Sequence, residues 1–191
     1  MNNKDILEQK KSGEGSLPGD PDPQKMIERM IRVNQAGEYG AQRIYAGQLA
    51  IVKDNSLKEK IKLMAEHEKE HLETFNNLLL DRKIRPTALQ PIWHILGFAL
   101  GASTALMGEK SAMACTVAVE EAIDEHYSNQ ANYLGDDEKE LKEIILDTRE
   151  DEIEHKEIAQ ESLNKFESDL QPLRLVIKKG TKIAIWLSER F

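Results

Sequence analysis

The stretch His67-Glu68-Lys69-Glu70-His71 has a second, imperfect copy at Asp151-Glu152-Ile153-Glu154-His155. A shift of 84 residues aligns the first glutamate and the last histidine of one copy with those of the other. A similar shift, of 82 residues, aligns Ala36-Gly37-Glu38 with Ala118-Val119-Glu120. Self-similarity at a fixed spacing indicates an internal repeat. The sequence therefore predicts two copies of one pair of helices.

The repeated residues form a pattern typical of a metal centre. Residues three apart share a helix face, so each Glu-x-x-His offers an oxygen and a nitrogen to a common ion. The candidate metal ligands are Glu38, Glu68, His71, Glu120, Glu152 and His155. Their order, with intervals of 30 residues from Glu38 to Glu68 and 32 from Glu120 to Glu152, matches ferritin-like di-iron or di-manganese bundles. We expect Glu68 and Glu152 to bridge two ions, with Glu38 and Glu120 as terminal ligands.

Two other interpretations fit the same residues. The first copy also satisfies H-E-x-x-H, the zinc protease signature in which both histidines bind the metal. Asp151 replaces the first histidine in the second copy, which favours the di-metal interpretation and makes His67 a neighbour of the site. A metal-free structural bundle would instead have to bury Glu68 and Glu152 without partners, which is costly.

Composition excludes several classes of function. A net charge of −8 argues against nucleic acid as a partner. The single Cys115 excludes an internal disulfide framework and is expected to be a small buried residue. Residues 1–23 have no apolar run and are expected to form a flexible N-terminal arm. Residues 24–191 would then form one helical domain.

Hydrophobic periodicity predicts the helices of this domain. We expect helices over about 24–52 and 110–134, the latter stopped by Gly135. Ser56 with Glu59 would cap the second helix, and Asp137 would cap the fifth. The inward stripe of the second helix is predicted as Leu57, Ile61, Met64, Glu68, His71, Phe75 and Leu78. The first, fourth and fifth helices should bury Ile27, Ile31, Asn34, Glu38, Ala41, Tyr45, Gln48, Val52, Met113, Val117, Glu120, Ile123, Tyr127, Leu141, Ile145, Thr148, Glu152, His155, Ala159 and Leu163.

Residues 86–108 carry no formal charge and are long enough to be a transmembrane candidate. A single span there would separate the two halves of the metal centre, so we interpret it as an apolar crossover helix. Its outer face, with residues 173–187 of an additional C-terminal helix, would contact a membrane surface peripherally. The alternative for residues 86–108 is a crossover helix that is simply well buried. A bundle-packing role for the C-terminal helix is equally compatible with its sequence.

Other features lie close to the predicted ligands. Gly37 and Gly40 flank Glu38 and suggest close approach of another helix or of a substrate, although helices also tolerate glycine without such a reason. Tyr45 and Tyr127 are candidate catalytic residues that would relay protons or electrons. In the alternative interpretation, both are hydrogen-bonded tyrosines of the core and have no such role.

Ile31-Arg32-Val33-Asn34-Gln35-Ala36-Gly37-Glu38-Tyr39-Gly40-Ala41 resembles the demethoxyubiquinone hydroxylase family of ubiquinone biosynthesis. The resemblance extends over about residues 25 to 191. It implies a membrane-associated di-iron monooxygenase that uses O2 to hydroxylate the demethoxyubiquinol ring, a membrane-embedded substrate, in the penultimate step. The implied iron ligands are the six residues selected by the repeat. His126 is a further candidate catalytic residue.

The resemblance also implies a location. Because residues 1–23 do not resemble a mitochondrial presequence, we expect a protein of the cytoplasmic face of a bacterial membrane, or a processed protein of the mitochondrial inner membrane. A homo-oligomer or a lipid-binding partner protein is compatible with the sequence. The alternative from another class is an iron-storage or ferroxidase bundle like ferritin or rubrerythrin.

Overall fold

The computed structural model describes residues 22–163 and 167–191, which form six α-helices, two short 3₁₀ helices and no strand. The α-helices are α1 (Pro23–Ile51), α2 (Asn55–Asp81), α3 (Gln90–Leu106), α4 (Glu109–Tyr133), α5 (Lys139–Leu163) and α6 (Gln171–Ser188). Helices α1, α2, α4 and α5 form the bundle, α3 crosses over between its halves, and α6 packs mainly on α4. This arrangement confirms the predicted all-α, ferritin-like fold.

The N-terminal boundaries of α1 and α2 differ slightly from the prediction. Asp22 caps α1 by accepting a hydrogen bond of 3.0 Å from the Gln24 amide, and Pro23 already belongs to the helix. The rest of the predicted arm lies outside the described residues. The capping box predicted at Ser56 was wrong, because Asp54 caps α2 and accepts a 2.7 Å hydrogen bond from the Leu57 amide. Aspartate caps a helix at least as well as serine, and Asp54 precedes Ser56 in the chain, so the helix begins two residues earlier than predicted.

Around Gly135 the chain also departs from the prediction. Helix α4 ends because Leu134 adopts an extended conformation, with ψ of 127°. Gly135 is extended too, at φ −88° and ψ −170°, so it does not supply a left-handed helix stop. Asp137 lies inside a 3₁₀ helix, Asp136–Glu138, that leads into α5.

The bundle core consists of the stripes that the periodicity indicates. Every residue predicted to face inward on α1, α4 and α5 is buried. On α2 the prediction was wrong at one position, since Leu79 is buried and Leu78 only partly so. The stripe runs from His71 to Phe75 to Leu79 in steps of four, and a helix of 3.6 residues per turn accepts steps of three or four.

Glycines allow α3 to lie directly against α1. A Cβ atom on Gly101 would overlap the carbonyl oxygen of Ile44, and one on Gly47 would overlap that of Phe98. Helix α3 also approaches α1 at Gly40, because a Cβ atom on Gly97 would lie 2.9 Å from the Gly40 carbonyl oxygen. A Cβ atom on Gly37 or Gly40 would itself meet nothing within 4 Å outside the backbone of its own helix. Both glycines also line an apolar cavity.

Helix α3 is shorter than the uncharged stretch that contains it, and its outer side is apolar. Exposed large apolar side chains on and after α3 are Ile92, Ile95, Leu96, Phe98, Leu106 and Met107. Within residues 22–163 and 167–191, every helix is too short or too polar to cross a membrane.

Ion pairs hold α6 on α4. Arg174 lies 2.6 Å from Glu121, and Lys178 and Lys182 lie 2.7 and 2.5 Å from Glu125. The three cations are four residues apart on α6, and the two glutamates are four residues apart on α4, so the pairs follow the facing sides of the two helices.

Candidate metal centre

The six predicted ligands converge in the middle of the bundle. Helices α1 and α4 each contribute one glutamate, and α2 and α5 each contribute a glutamate and a histidine one turn apart. Their donor atoms form two groups within which all atoms lie within 4.8 Å of one another. The groups are Glu38, Glu68, His71 and Glu152, and Glu68, Glu120, Glu152 and His155. All six residues are buried.

Glu68 and Glu152 belong to both groups, which is the arrangement that bridging carboxylates require. His71 Nδ1 lies 3.5 Å from Glu38 Oε2 and 3.6 Å from Glu152 Oε1. His155 Nδ1 lies 3.3 Å from Glu68 Oε1 and from Glu152 Oε2. Two donor atoms each about 2.1 Å from one ion are separated by about 3 to 3.5 Å, so these distances suit ligands of a common ion.

The donor atoms have no other partners. Among the described residues, the buried side-chain atoms that lack a hydrogen bond include Oε2 of Glu38 and Glu120, both carboxylate oxygens of Glu68 and Glu152, and Nδ1 of both histidines. A buried polar atom left without a partner costs about 1 to 3 kcal/mol, more if it is charged. Eight such atoms facing one another fit a pair of cations.

The charges of the site lead to the same conclusion. Burial, together with the negative charge of Glu152, raises the pKa of Glu68 and of Glu120 well above the usual range. Burial would also raise the pKa of Glu152, but the neighbouring imidazole rings of His155 and His71 lower it below the usual range. Burial lowers the pKa of His71, yet Glu152 and Glu38 raise it to about 11. Ionised carboxylates this close repel one another, and two divalent cations would neutralise the charges of four of them.

Two tyrosines hold the terminal carboxylates. The Tyr45 hydroxyl donates to Glu120 Oε1 at 2.7 Å, and the Tyr127 hydroxyl donates to Glu38 Oε1. Burial, followed by the charge of Glu120 or Glu38, raises the pKa of both tyrosines well above 10. Both therefore stay protonated and fix one oxygen of each carboxylate, leaving the other free for an ion.

The outward nitrogens of the two histidines are also occupied. His71 Nε2 lies 2.9 Å from Asp151 Oδ2, and His155 Nε2 lies 3.2 Å from His67 Nδ1. His67 thus stands behind His155 and belongs to neither donor group, which removes the second ligand that a zinc protease site would need. The sequence had indicated His67 as a neighbour, but not Asp151, although the 84-residue repeat aligns these two positions.

His126 lies outside both donor groups. Gln130 Nε2 lies 2.7 Å from His126 Nε2, and Gln130 also forms a paired amide contact with Asn34. Burial lowers the pKa of His126 to about 4, so its ring is neutral near pH 7. Cys115 is buried as well, and burial raises its pKa to about 12, which makes the thiol unreactive.

Several known proteins are similar in sequence to this chain over most of its length. A Rhodospirillum rubrum protein named 3-demethoxyubiquinol 3-hydroxylase is 50% identical over 182 residues, which cover 95% of this chain and 86% of the relative. A human protein named NADPH-dependent 3-demethoxyubiquinone 3-hydroxylase, mitochondrial, is 46% identical over 168 residues, covering 86% of this chain and 77% of the relative. A Saccharomyces cerevisiae protein named 5-demethoxyubiquinone hydroxylase, mitochondrial, is 39% identical over 185 residues, covering 86% and 78%.

The matched region contains the whole metal centre. Residues 25–188 match the family described as ubiquinone biosynthesis protein COQ7, and this range includes all four bundle helices except the first residues of α1. With its buried pair of donor groups and its extended identity to these hydroxylases, the chain belongs to the COQ7 family of ubiquinone biosynthesis proteins.

Proposed function

We propose that this protein is a di-iron monooxygenase that hydroxylates the ring of a demethoxyubiquinol with O2. The observation that carries the proposal is the pair of donor groups that share Glu68 and Glu152. The names of the relatives supply the class of substrate. Two iron ions bound there would supply the activation of O2 that ring hydroxylation requires.

The donor set favours iron over a structural zinc. Carboxylate oxygens and imidazole nitrogens make up both groups, and the one thiol, Cys115, belongs to neither. Mixed oxygen and nitrogen ligands of this kind suit iron or manganese, whereas structural zinc prefers closed tetrahedral sites rich in thiolate.

The chain's own residues would orient the ligands and keep the centre dry. Glu38 and Glu120 would each offer one oxygen to an ion while a tyrosine holds the other. Buried apolar side chains from the bundle surround the ligands and exclude bulk water, for example Met64, Met113 and Val117. In metal-ion catalysis the protein contributes fixed ligands and a dry cavity, and this site has both features.

An apolar cavity of about 350 Å³ lies beside α1 and α4, the helices that carry Glu38 and Glu120, and supports the assignment of an apolar substrate. It is lined by α1, α3, α4 and α6. Ala41, Ile44 and Val119 line both this cavity and a smaller gap beside Tyr45 and Glu120. A quinol ring placed in the cavity would therefore lie on the Glu120 side of the metal centre, with these three side chains between them. The volume lies within the usual range of small-molecule sites.

The helices that line the cavity also support a peripheral membrane location. Besides the exposed apolar residues of α3, the C-terminal helix and the residues after it expose Leu175, Val176, Ile183, Trp186 and Phe191. A polyprenyl tail is insoluble in water, so its entrance should face lipid. Sedimentation with liposomes tests this contact: we expect wild-type protein to sediment, and an Ile95→Glu, Trp186→Glu double variant to remain in the supernatant. Equal sedimentation of both would contradict the proposed surface.

Quinone analysis of cells tests the reaction itself. In cells that depend on this protein, Glu152→Ala should cause the demethoxy precursor to accumulate, because it removes a carboxylate common to both donor groups. Glu154→Ala, which removes an exposed glutamate two residues away, is the matched control and should leave ubiquinone normal. Normal ubiquinone with stably produced Glu152→Ala protein would refute the assignment. An iron-storage bundle, the alternative class, would leave quinone composition unchanged in both variants.

A further inference from the structure

The two histidines of the metal centre have chemically different partners on their outward nitrogens. His71 faces a carboxylate, Asp151, at 2.9 Å. His155 faces another imidazole, His67, at 3.2 Å, with the two rings stacked at a centroid distance of 5.3 Å. The internal repeat aligns His67 with Asp151, so the same position in each half supports the histidine of the other half. The two halves contribute the same types of ligand, but they differ in the residue that contacts the outward nitrogen of each histidine.

This difference acts on the donor nitrogen of each ring. Both histidines turn Nδ1 toward the carboxylates of the centre, so an ion held there would leave the ring proton on Nε2, directed outward. A carboxylate acceptor fixes that tautomer and raises the electron density on the opposite nitrogen more than an imidazole acceptor does. His71 Nδ1 is therefore the better donor to a cation.

The charge of Asp151 adds to this effect. Asp151 places a carboxylate behind one donor group, whereas His67 places an imidazole behind the other. The side chain of Asp151 is 43% exposed, so water screens part of its charge, but the hydrogen bond to His71 remains. Both contributions favour a cation in the group that contains His71.

We propose that Asp151 and His67 are positioning residues that make the two metal subsites unequal. The subsite of Glu38 and His71 binds a divalent cation more tightly and fills first, and the subsite of Glu120 and His155 fills second. The inference rests on the metal centre of the proposed function, but it concerns affinity and order of filling, not hydroxylation.

Anaerobic titration of the metal-stripped full chain with Co²⁺, followed by its visible absorption, tests the inequality. Wild-type protein should bind two ions in two steps whose dissociation constants differ about tenfold or more. Glu38→Gln should remove the tighter step and Glu120→Gln the weaker one, which assigns each step to its subsite. Two equal steps in the wild type, or the reverse assignment, would overturn the proposal.

Substitutions at the two supporting positions test the cause. Asp151→Asn keeps a hydrogen-bond acceptor but loses the charge, and should weaken the tighter step about tenfold. His67→Asp gives the second subsite its own carboxylate and should tighten the weaker step, bringing the two constants together. Glu150→Gln removes an exposed charge next to Asp151 and should change neither step. Circular dichroism and thermal unfolding establish that each variant is folded.

The outcomes separate this inference from the proposed function. If Asp151→Asn and His67→Asp each bind two ions with wild-type constants, the positioning roles are refuted and the di-metal centre stands. If Glu150→Gln weakens binding as much as Asp151→Asn, the contact with His71 is not the cause. If folded wild-type protein binds no ions, the inference and the proposed function both fail.

Discussion

Tyr45 on α1 donates its hydroxyl hydrogen to Glu120 on α4 across 75 residues of sequence. The repeat aligns Tyr45 with Tyr127 and Glu120 with Glu38, and Tyr127 correspondingly donates to Glu38. Each tyrosine therefore supports the terminal carboxylate of the opposite half. The sequence alone allowed either a relay role or a hydrogen-bonded core role for these tyrosines, and both are hydrogen-bonded in the core.

Replacing Tyr45 by phenylalanine should weaken metal binding. Without the hydroxyl, Glu120 loses the contact that orients it, and loss of such outer contacts lowers metal affinity about 10- to 100-fold. Competition with a chelator of known affinity measures the effect. Tyr39→Phe, which removes a surface contact with His94, is the matched control. Equal metal affinity in Tyr45→Phe and wild-type protein would show that the hydroxyl does not orient the ligand.

Gly101→Ala should destabilise the fold. The added methyl group would overlap the backbone of Ile44, so α3 must move away from α1, at a cost of about 1 to 3 kcal/mol in the free energy of unfolding. Gly180→Ala is the control, because a Cβ there has no atom within 4 Å, and it should stabilise α6 by up to about 1 kcal/mol. Urea unfolding measures both. A neutral effect of Gly101→Ala would contradict the close packing of α3.

Gly40→Leu should block the substrate without disturbing the metal. Gly40 lines the apolar cavity, and a leucine side chain would fill part of the space next to Ala41 and Ile44. We expect hydroxylation of purified quinol to fall on the order of tenfold, or about 1.4 kcal/mol, with unchanged iron content. Gly40→Ala adds one methyl group in open space and should remain active. Full activity of Gly40→Leu would mean that the substrate binds elsewhere.

His126 should make the fold less stable in acid. Its pKa is about 4 in the folded protein and about 6.5 in the unfolded chain, so the unfolded chain takes up the proton first as pH falls. The free energy of unfolding contributed by His126 is thus present above pH 6.5 and is lost between pH 6.5 and 4, by at most about 3 kcal/mol.

The measurement compares urea unfolding of wild-type and His126→Gln protein at pH 7.0, 6.0 and 5.0. Glutamine preserves a polar partner for Gln130 but does not titrate, so the variant should show a flatter dependence on pH. Parallel curves for the two proteins would exclude His126 as the source.

Much of this fold was predictable because its main features are local and repeated. Periods of three and four residues placed the buried faces of α1, α4 and α5 without error. The order of the glutamates and the Glu-x-x-His pairs indicated which side chains meet, since that order reflects two equivalent helix pairs. Their role as metal ligands remains a prediction.

Features that depend on contact between distant segments were not predictable in the same way. Glycines on both helices decide the approach of α3 to α1, whereas a side chain added at Gly40 would point into a cavity. The start of α2 was ambiguous in the sequence because Asp54 and Ser56 are both good capping residues. In the structure Asp54 is the cap. The partnership of Asp151 with His71 joins opposite halves of the chain, beyond the reach of helical periodicity.

The sharing of Glu68 and Glu152 between the two donor groups has a consequence for the ancestry of the molecule. Neither helical hairpin, α1 with α2 or α4 with α5, contains all the ligands of one donor group, because each group includes one carboxylate from the opposite hairpin. A precursor half this length could have assembled the same centre only as a symmetric dimer of two identical chains. Gene duplication followed by fusion through the α3 segment would then have freed the two halves to diverge, at His67 and Asp151 among other positions.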